Sequence, residues 1–207
     1  MKRLSISFKN KTSMCAQHTG GCTWPGDDEL MKEYHDNEWG TPLHNDRKLF
    51  EFLVLDAFQA GLSWKTILHK RRNFEKAFSG FDPVKIAKYS DKKIETLLQD
   101  TGIVRNRLKI LATVTNAQRF LEVQKEFGSF DKYIWQFTGH KPIVNNWKHT
   151  GQVPAKTAES DAMSKDLQKR GFKFVGSTIC YAFMQAAGMI NDHMVGCPRH
   201  KAVQLPG

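Results

Sequence analysis

A chain of 207 residues, 40% hydrophobic and 25% charged, is long enough to bury a real core and predicts one folded, soluble domain. Lys and Arg outnumber Asp and Glu by 31 to 21, a formal net charge of +10, which points to an acidic partner, nucleic acid ahead of an anionic membrane surface. No apolar run is long enough to span a bilayer, and the basic first residues lack the apolar stretch of a signal peptide. The expected compartment is therefore the cytoplasm, where cysteines favour metal over disulfides.

In chain order, residues 1–21 read as a polar, disordered leader that contains Cys15. A strand pair near the N-terminus is left open. Asn45 or Asp46 can cap a helix through Leu49, Phe50, Phe52, Leu53, Val54, Leu55, Ala57 and Phe58, apolar on nearly every side and hence buried. Gly61 ends it. Ser63 caps the next helix, to about Phe78. Asp82-Pro83 is a cap followed by proline at the first helical position. A short helix follows Ser90 and stops before Gly102. The longest helix runs from about Asn106 to Phe127, with Gly128 as its stop. Residues 139–154 read as a loop. Thr157 opens a helix to Arg170, residues 171–176 form a tight hairpin, and Ser177 opens a helix ending near Gly188. The expectation is an all-α domain over 22–198 and a tail over 199–207.

Two pairs of metal-ligand types sit at opposite ends of that domain: Cys22 with His35, and His193 with Cys197. Two thiolates and two neutral imidazoles suit a closed, tetrahedral, structural zinc site. One ion would clip the two ends together. Cys180 falls in an apolar helical pattern and reads as core.

Four segments could carry chemistry. Residues 167–178 end one helix and start another across a Gly-bounded turn, where backbone N–H groups can hold a phosphate. Lys169, Arg170, Lys173, Gly176 and Ser177 lie on it; an ordinary helix–turn–helix corner is the competing reading. Asp56 is a carboxylate inside an apolar helix, so it needs a partner or takes a proton; it is either a core aspartate or a site residue. Trp24, Tyr34, Trp39 and Trp64 cluster near these features and suit a flat cationic base, or simply a core. Gly61-Leu62, at the tip between two helices, suits a wedge that unstacks bases, or a plain turn.

The segments Tyr34-His35-Asp36-Asn37-Glu38-Trp39-Gly40, Gln59-Ala60-Gly61-Leu62-Ser63-Trp64, Arg170-Gly171-Phe172-Lys173-Phe174-Val175-Gly176 and Asn191-Asp192-His193 resemble, in order, those of the bacterial 3-methyladenine DNA glycosylase I family. The resemblance runs over residues 22–197. It implies a helix–hairpin–helix glycosylase fold whose zinc ligands fall on Cys22, His35, His193 and Cys197. It also implies a base pocket of Trp24, Tyr34, Trp39 and Trp64, and a DNA-probing pair at Gly61 and Leu62. The family's pocket glutamate is here Asp56, whose shorter arm withdraws its oxygens by about 1.5 Å. A second pocket tyrosine is here Met31. The implied activity is monofunctional hydrolytic release of N3-methyladenine from double-stranded DNA by a monomer. Asp192 is read as support for the ligand His193. The rivals are a lesion-binding module of the same fold, a glycosylase for another alkylated base, and a zinc-stapled helical interaction protein.

Overall fold

The computed structural model describes residues 21–204. The expected leader, Cys15 included, lies outside the described residues except for Gly21, as do the last three positions of the expected tail. Among the described residues there are ten α-helices: α1 (Glu29–Asn37), α2 (Asp46–Gln59), α3 (Trp64–Ala77), α4 (Pro83–Ile86), α5 (Asp91–Gln99), α6 (Arg107–Phe127), α7 (Phe130–Trp135), α8 (Ala158–Lys169), α9 (Ser177–Ala186) and α10 (Pro198–Ala202). Two short parallel strands, β1 (Ile143–Val144) and β2 (Ile190–Asn191), pair Ile143 with Ile190. This pair joins distant segments of the chain. No helix of the described residues is long and apolar enough to cross a membrane.

Helix α2 is the axle of the fold. Every residue from Leu49 to Phe58 is buried, as its all-round apolar sequence requires. It packs against α3, α6, α7 and α9. Phe50 meets Phe120 of α6 with ring centroids 4.9 Å apart, and Phe58 meets Phe74 of α3 at 4.7 Å; these edge-on pairs add to the burial of their rings.

Side-chain caps fix where the helices begin. Asn45, Ser63, Ser90, Asn106 and Thr157 each accept from a backbone N–H three residues on, each worth about 1 kcal/mol. Gly128 closes α6 in the left-handed conformation at φ +84°, where a side chain would be strained. Asp46 opens α2 and also accepts from the backbone N–H groups of Phe130 and Asp131 at 2.9 and 2.8 Å, tying the start of α7 to α2.

Helix α1, not expected from the sequence, is joined to α2 and α3 by one arginine. Arg71 donates to both Glu38 oxygens at 2.7 Å and to Glu51 at 2.6 Å. Despite the opposing cost of burial, these two carboxylates raise the guanidinium pKa further above its usual value. Cys180 is buried, as expected, with its thiol 3.3 Å from the Val175 carbonyl. Packing continues past Cys197: His200 and Val203 are buried, and His200 Nε2 lies 2.8 Å from the Asn145 carbonyl.

The segment after α1 docks on the end of α9. Gly40 and Leu43 donate backbone bonds to Gln185 and Ala187 at 3.0 and 3.1 Å. This contact requires glycine at 188, where φ is +65° and an added Cβ would lie 2.2 Å from the Thr41 carbonyl carbon. Gly188→Ala therefore combines a left-handed backbone with a clash against main chain. A loss of roughly 2–5 kcal/mol is expected, read as a lower urea midpoint at unchanged m-value.

Candidate functional site

The docking of 40–43 against α9 brings the two ends of the described chain together. Cys22, His35 from α1, and His193 and Cys197 after β2 place one ligand atom each within 4.8 Å of one another. His193 Nδ1 lies 3.1 Å from His35 Nε2, and Cys197 Sγ is 3.7 Å from both. Cys22 Sγ is 3.7 Å from His193 Nδ1. The far ring nitrogens have partners of their own. His35 Nδ1 sits 2.7 Å from Asp36 Oδ1, and His193 Nε2 sits 3.0 Å from the Trp39 carbonyl. Both imidazoles therefore present their other nitrogen to the centre, and such outer contacts fix ligand rings. The neighbouring Cys22, helped by the two imidazoles, holds the Cys197 thiol far below its usual pKa, the direction that favours thiolate ligation. The cluster can hold a metal ion.

Beside the cluster lies a cavity of about 220 Å³. Its wall includes Trp24, Tyr34, Trp39 and Trp64, with Asp56 and Asp192 at its polar edge. Four of the predicted aromatics and the predicted carboxylate thus meet in one place. Trp24 and Trp39 stand edge to face at 5.0 Å, and Tyr34 and Trp64 are tilted at 5.1 Å. Met31 is buried in the core and lines a separate surface depression bounded by Trp24 and Trp64. It is not among the residues that line the aromatic cavity.

Three buried polar atoms here have no hydrogen-bond partner among the described residues: Trp24 Nε1, Trp64 Nε1 and Asp56 Oδ2. Buried polar groups are ordinarily paired, and an unpaired one costs about 1–3 kcal/mol. Two orphan donors and one orphan acceptor around an aromatic cavity are the complement of a flat ligand with both kinds of group. Burial alone raises the Asp56 pKa well above its usual value, because leaving water disfavours the charged form.

Sequence reasoning placed Asp192 in support of His193, and the structure corrects this. The Asp192 carboxylate accepts from Asn145 Nδ2, Trp147 Nε1 and Gln185 Nε2, each at 2.7 Å, and from the Tyr181 hydroxyl at 2.5 Å. None of these donors belongs to a ligand ring, and the carboxylate next to a ligand ring is Asp36. The donors to Asp192 come from the 145–147 loop and α9, so no local pattern could reveal them.

A second face carries the tip and the hairpin. Leu62 is 43% exposed, and Gly61 turns at φ +78° with open space around its Cβ position. Helix α9 begins at Ser177 with Gly176 at its cap and no side chain bonded there. Ser177 is thus the first helical residue rather than the cap expected for it. Arg170, expected beside this turn as a phosphate contact, bridges α6 and α8. It donates to Glu126 at 2.8 Å and to Asp166 at 2.9 Å, and its guanidinium stacks 4.9 Å from the Phe127 ring.

Comparison with known proteins agrees with this arrangement. A family profile for methyladenine glycosylases matches residues 24–200. DNA-3-methyladenine glycosylase 1 of Escherichia coli (strain K12) is 49% identical over 176 residues, covering 85% of this chain and 94% of that protein. DNA-3-methyladenine glycosylase of Haemophilus influenzae (strain ATCC 51907 / DSM 11121 / KW20 / Rd) is 47% identical over 180 residues, covering 87% and 97%. A crystal structure of a 3-methyladenine DNA glycosylase I superposes with a TM-score of 0.84 at 47% identity, covering 86% of this chain and 98% of that one. The Staphylococcus aureus 3-methyladenine DNA glycosylase I, solved to explain 3-methyladenine recognition, superposes at 0.83 and 36% identity, covering 86% and 94%. With a profile match across most of its length, the chain belongs to the methyladenine glycosylase family.

Proposed function

We propose that this chain is a DNA-3-methyladenine glycosylase that hydrolyses the bond between N3-methyladenine and its sugar in double-stranded DNA. The observation that carries the reading is the aromatic cavity lined by Trp24, Trp64 and Asp56, each of which holds a buried polar atom without a partner among the described residues, in a member of this family. The lesion base is cationic and flat. Aromatic faces attract it, Asp56 accepts from its exocyclic amine directly or through a water, and the two indole N–H groups reach its ring nitrogens. Tyr34 and Trp64 are the stacking residues. Methylation has already weakened the glycosidic bond. When it breaks, the bonding electrons go to the base, which leaves neutral. A water oxygen bonds to C1′ and its proton passes to solvent. The reaction would be monofunctional, leaving the strand intact.

Cys22, His35, His193 and Cys197 would hold zinc. Zn–S bonds of ~2.3 Å and Zn–N bonds of ~2.0 Å place tetrahedral ligand atoms roughly 3.3–3.8 Å apart, close to the 3.1 and 3.7 Å spacings here. The ion would supply structure, fastening residues 22–35 to 193–197 so that Trp24 and Trp39 stay in the wall. The helix–hairpin–helix element would be α8, the turn through Gly176, and α9. Its open N–H groups at Ser177, with Lys169 and Lys173, would hold a backbone phosphate. Gly61 and Leu62 would enter the duplex beside the extruded base. The working unit would be residues 22–198, acting as a monomer.

Chromatography of DNA treated with a simple methylating agent tests this. Free 3-methyladenine should appear with the protein, without strand nicking or borohydride trapping. A duplex that is bound but releases no base would instead favour the lesion-binding module.

A further inference from the structure

Helix α6 reaches both halves of the proposed DNA face, and one side chain near its start joins them. Lys109 is only 6% exposed. Its ammonium donates to the Phe58 carbonyl at 2.8 Å and also to the Ala60 carbonyl. These are terminal carbonyls of α2 that no further helical turn can satisfy, and the negative end of the helix dipole favours a cation there. Ala60 directly precedes Gly61 and Leu62. The same ammonium lies 5.9 Å from the ring centroid of Phe174, a hairpin residue held at φ +55°. Two turns further along α6, Asn116 grips that hairpin from below. Its Nδ2 donates to the Lys173 carbonyl at 3.0 Å, and the Lys173 N–H donates to its Oδ1 at 2.7 Å.

No carboxylate within the described residues pairs with Lys109. Its charge is met by two carbonyls and a ring, and burial pulls its pKa down. Burying a cation in this way is costly, and an apolar side chain of the same length would pack there without that cost. The arrangement fits a constraint on the α2–α3 turn rather than a need to fill space.

We propose that Lys109 is a positioning residue for base extrusion: it locks the Gly61-Leu62 tip at a fixed separation from the Lys173-Phe174 hairpin, so that a duplex gripped at the hairpin meets Leu62 at the lesion. This rests on the glycosylase reading above. Lys109 does not line the base cavity, so its loss leaves the cavity intact and loosens the wedge.

The test uses the full chain, its Lys109→Met and Lys109→Arg variants, and a duplex carrying a tetrahydrofuran abasic analogue opposite 2-aminopurine. Wild type should raise the 2-aminopurine fluorescence on binding, by unstacking it. Lys109→Met should lose this opening by about tenfold or more, the scale expected for losing charge-assisted bonds. It should still bind free 3-methyladenine with about wild-type affinity, and Lys109→Arg should recover most of the opening. If Lys109→Met does not fold, Asn116→Ala releases the hairpin end of the same link and should lower opening in the same sense. The proposal is overturned if these variants open the duplex as wild type does, or if free-base binding falls in step with opening. Wild type that leaves 2-aminopurine stacked overturns it as well. Wild type that opens the duplex yet releases no 3-methyladenine would sink the glycosylase reading and leave the role of Lys109 standing.

Discussion

Asp56→Ala should slow the single-turnover release of 3-methyladenine by about 10- to 100-fold while making the folded protein more stable at neutral pH. The rate estimate follows from losing a hydrogen bond to a charged group in a dry cavity, about 1.5–3 kcal/mol. The stability gain follows from the unpartnered Oδ2, since a buried polar group without a partner costs about 1–3 kcal/mol. Removing it next to an existing cavity opens little new void. The pH dependence has a definite sign. The folded pKa of Asp56 lies well above its ordinary 3.8. Below that ordinary value both folded and unfolded chains carry the proton, and the residue costs the fold nothing through titration. As pH rises past it, the unfolded chain releases its proton before the folded one does, and stability falls. The gain from Asp56→Ala should thus be present near neutrality and shrink as the medium is acidified, as seen in urea midpoints across the pH range. Equal stability of the two proteins at neutral pH would show that the carboxyl has a partner in solution. Stability and activity are then opposed at this one residue, as is common where a site needs a strained group.

Breaking the metal cluster should have the larger effect on the fold. Cys197→Ser removes a buried ligand and should lower stability by several kcal/mol, less than the ~10–16 kcal/mol that structural zinc supplies to isolated zinc-finger peptides, because α2 keeps its own core. Metal analysis should find one zinc per wild-type chain and much less in the variant. Cys180→Ser, altering a buried cysteine outside the cluster, should leave the metal content unchanged. Wild type purified without metal and indifferent to chelator would contradict the structural-zinc proposal.

The sequence revealed what is local and little of what is long-range. Helix starts were legible at Asn45, Ser63 and Thr157 because the capping side chain and the N–H it binds lie three residues apart. The short helices α7 and α10 carry too few turns to show a period, α1 was missed although Asp28 caps it three residues before Met31, and the β1–β2 pair joins segments 47 residues apart. In the site, Cys22, His35, His193 and Cys197 stood out by residue type, and Asp56 by being a carboxylate in an apolar run. The ion pair of Arg170 was not legible because Glu126, its partner, lies 44 residues away. Met31 enters the expected pocket only through the family resemblance, as the position of a second tyrosine, and it lines a neighbouring depression together with Trp24 and Trp64. The donors around Asp192 and the link through Lys109 exist only once distant helices pack.

The most direct test of the central claim is an NMR titration of the protein's indole N–H groups with free 3-methyladenine. The chain has five tryptophans. Trp135 Nε1 already donates to the Leu43 carbonyl at 3.0 Å and Trp147 Nε1 to Asp192 at 2.7 Å, whereas those of Trp24 and Trp64 are unpartnered. The pocket assignment predicts large shifts at Trp24 and Trp64, little change at Trp135, and loss of the response in Asp56→Ala. Saturating base that leaves Trp24 and Trp64 unmoved, or that shifts Trp135 instead, would place the base elsewhere and contradict it.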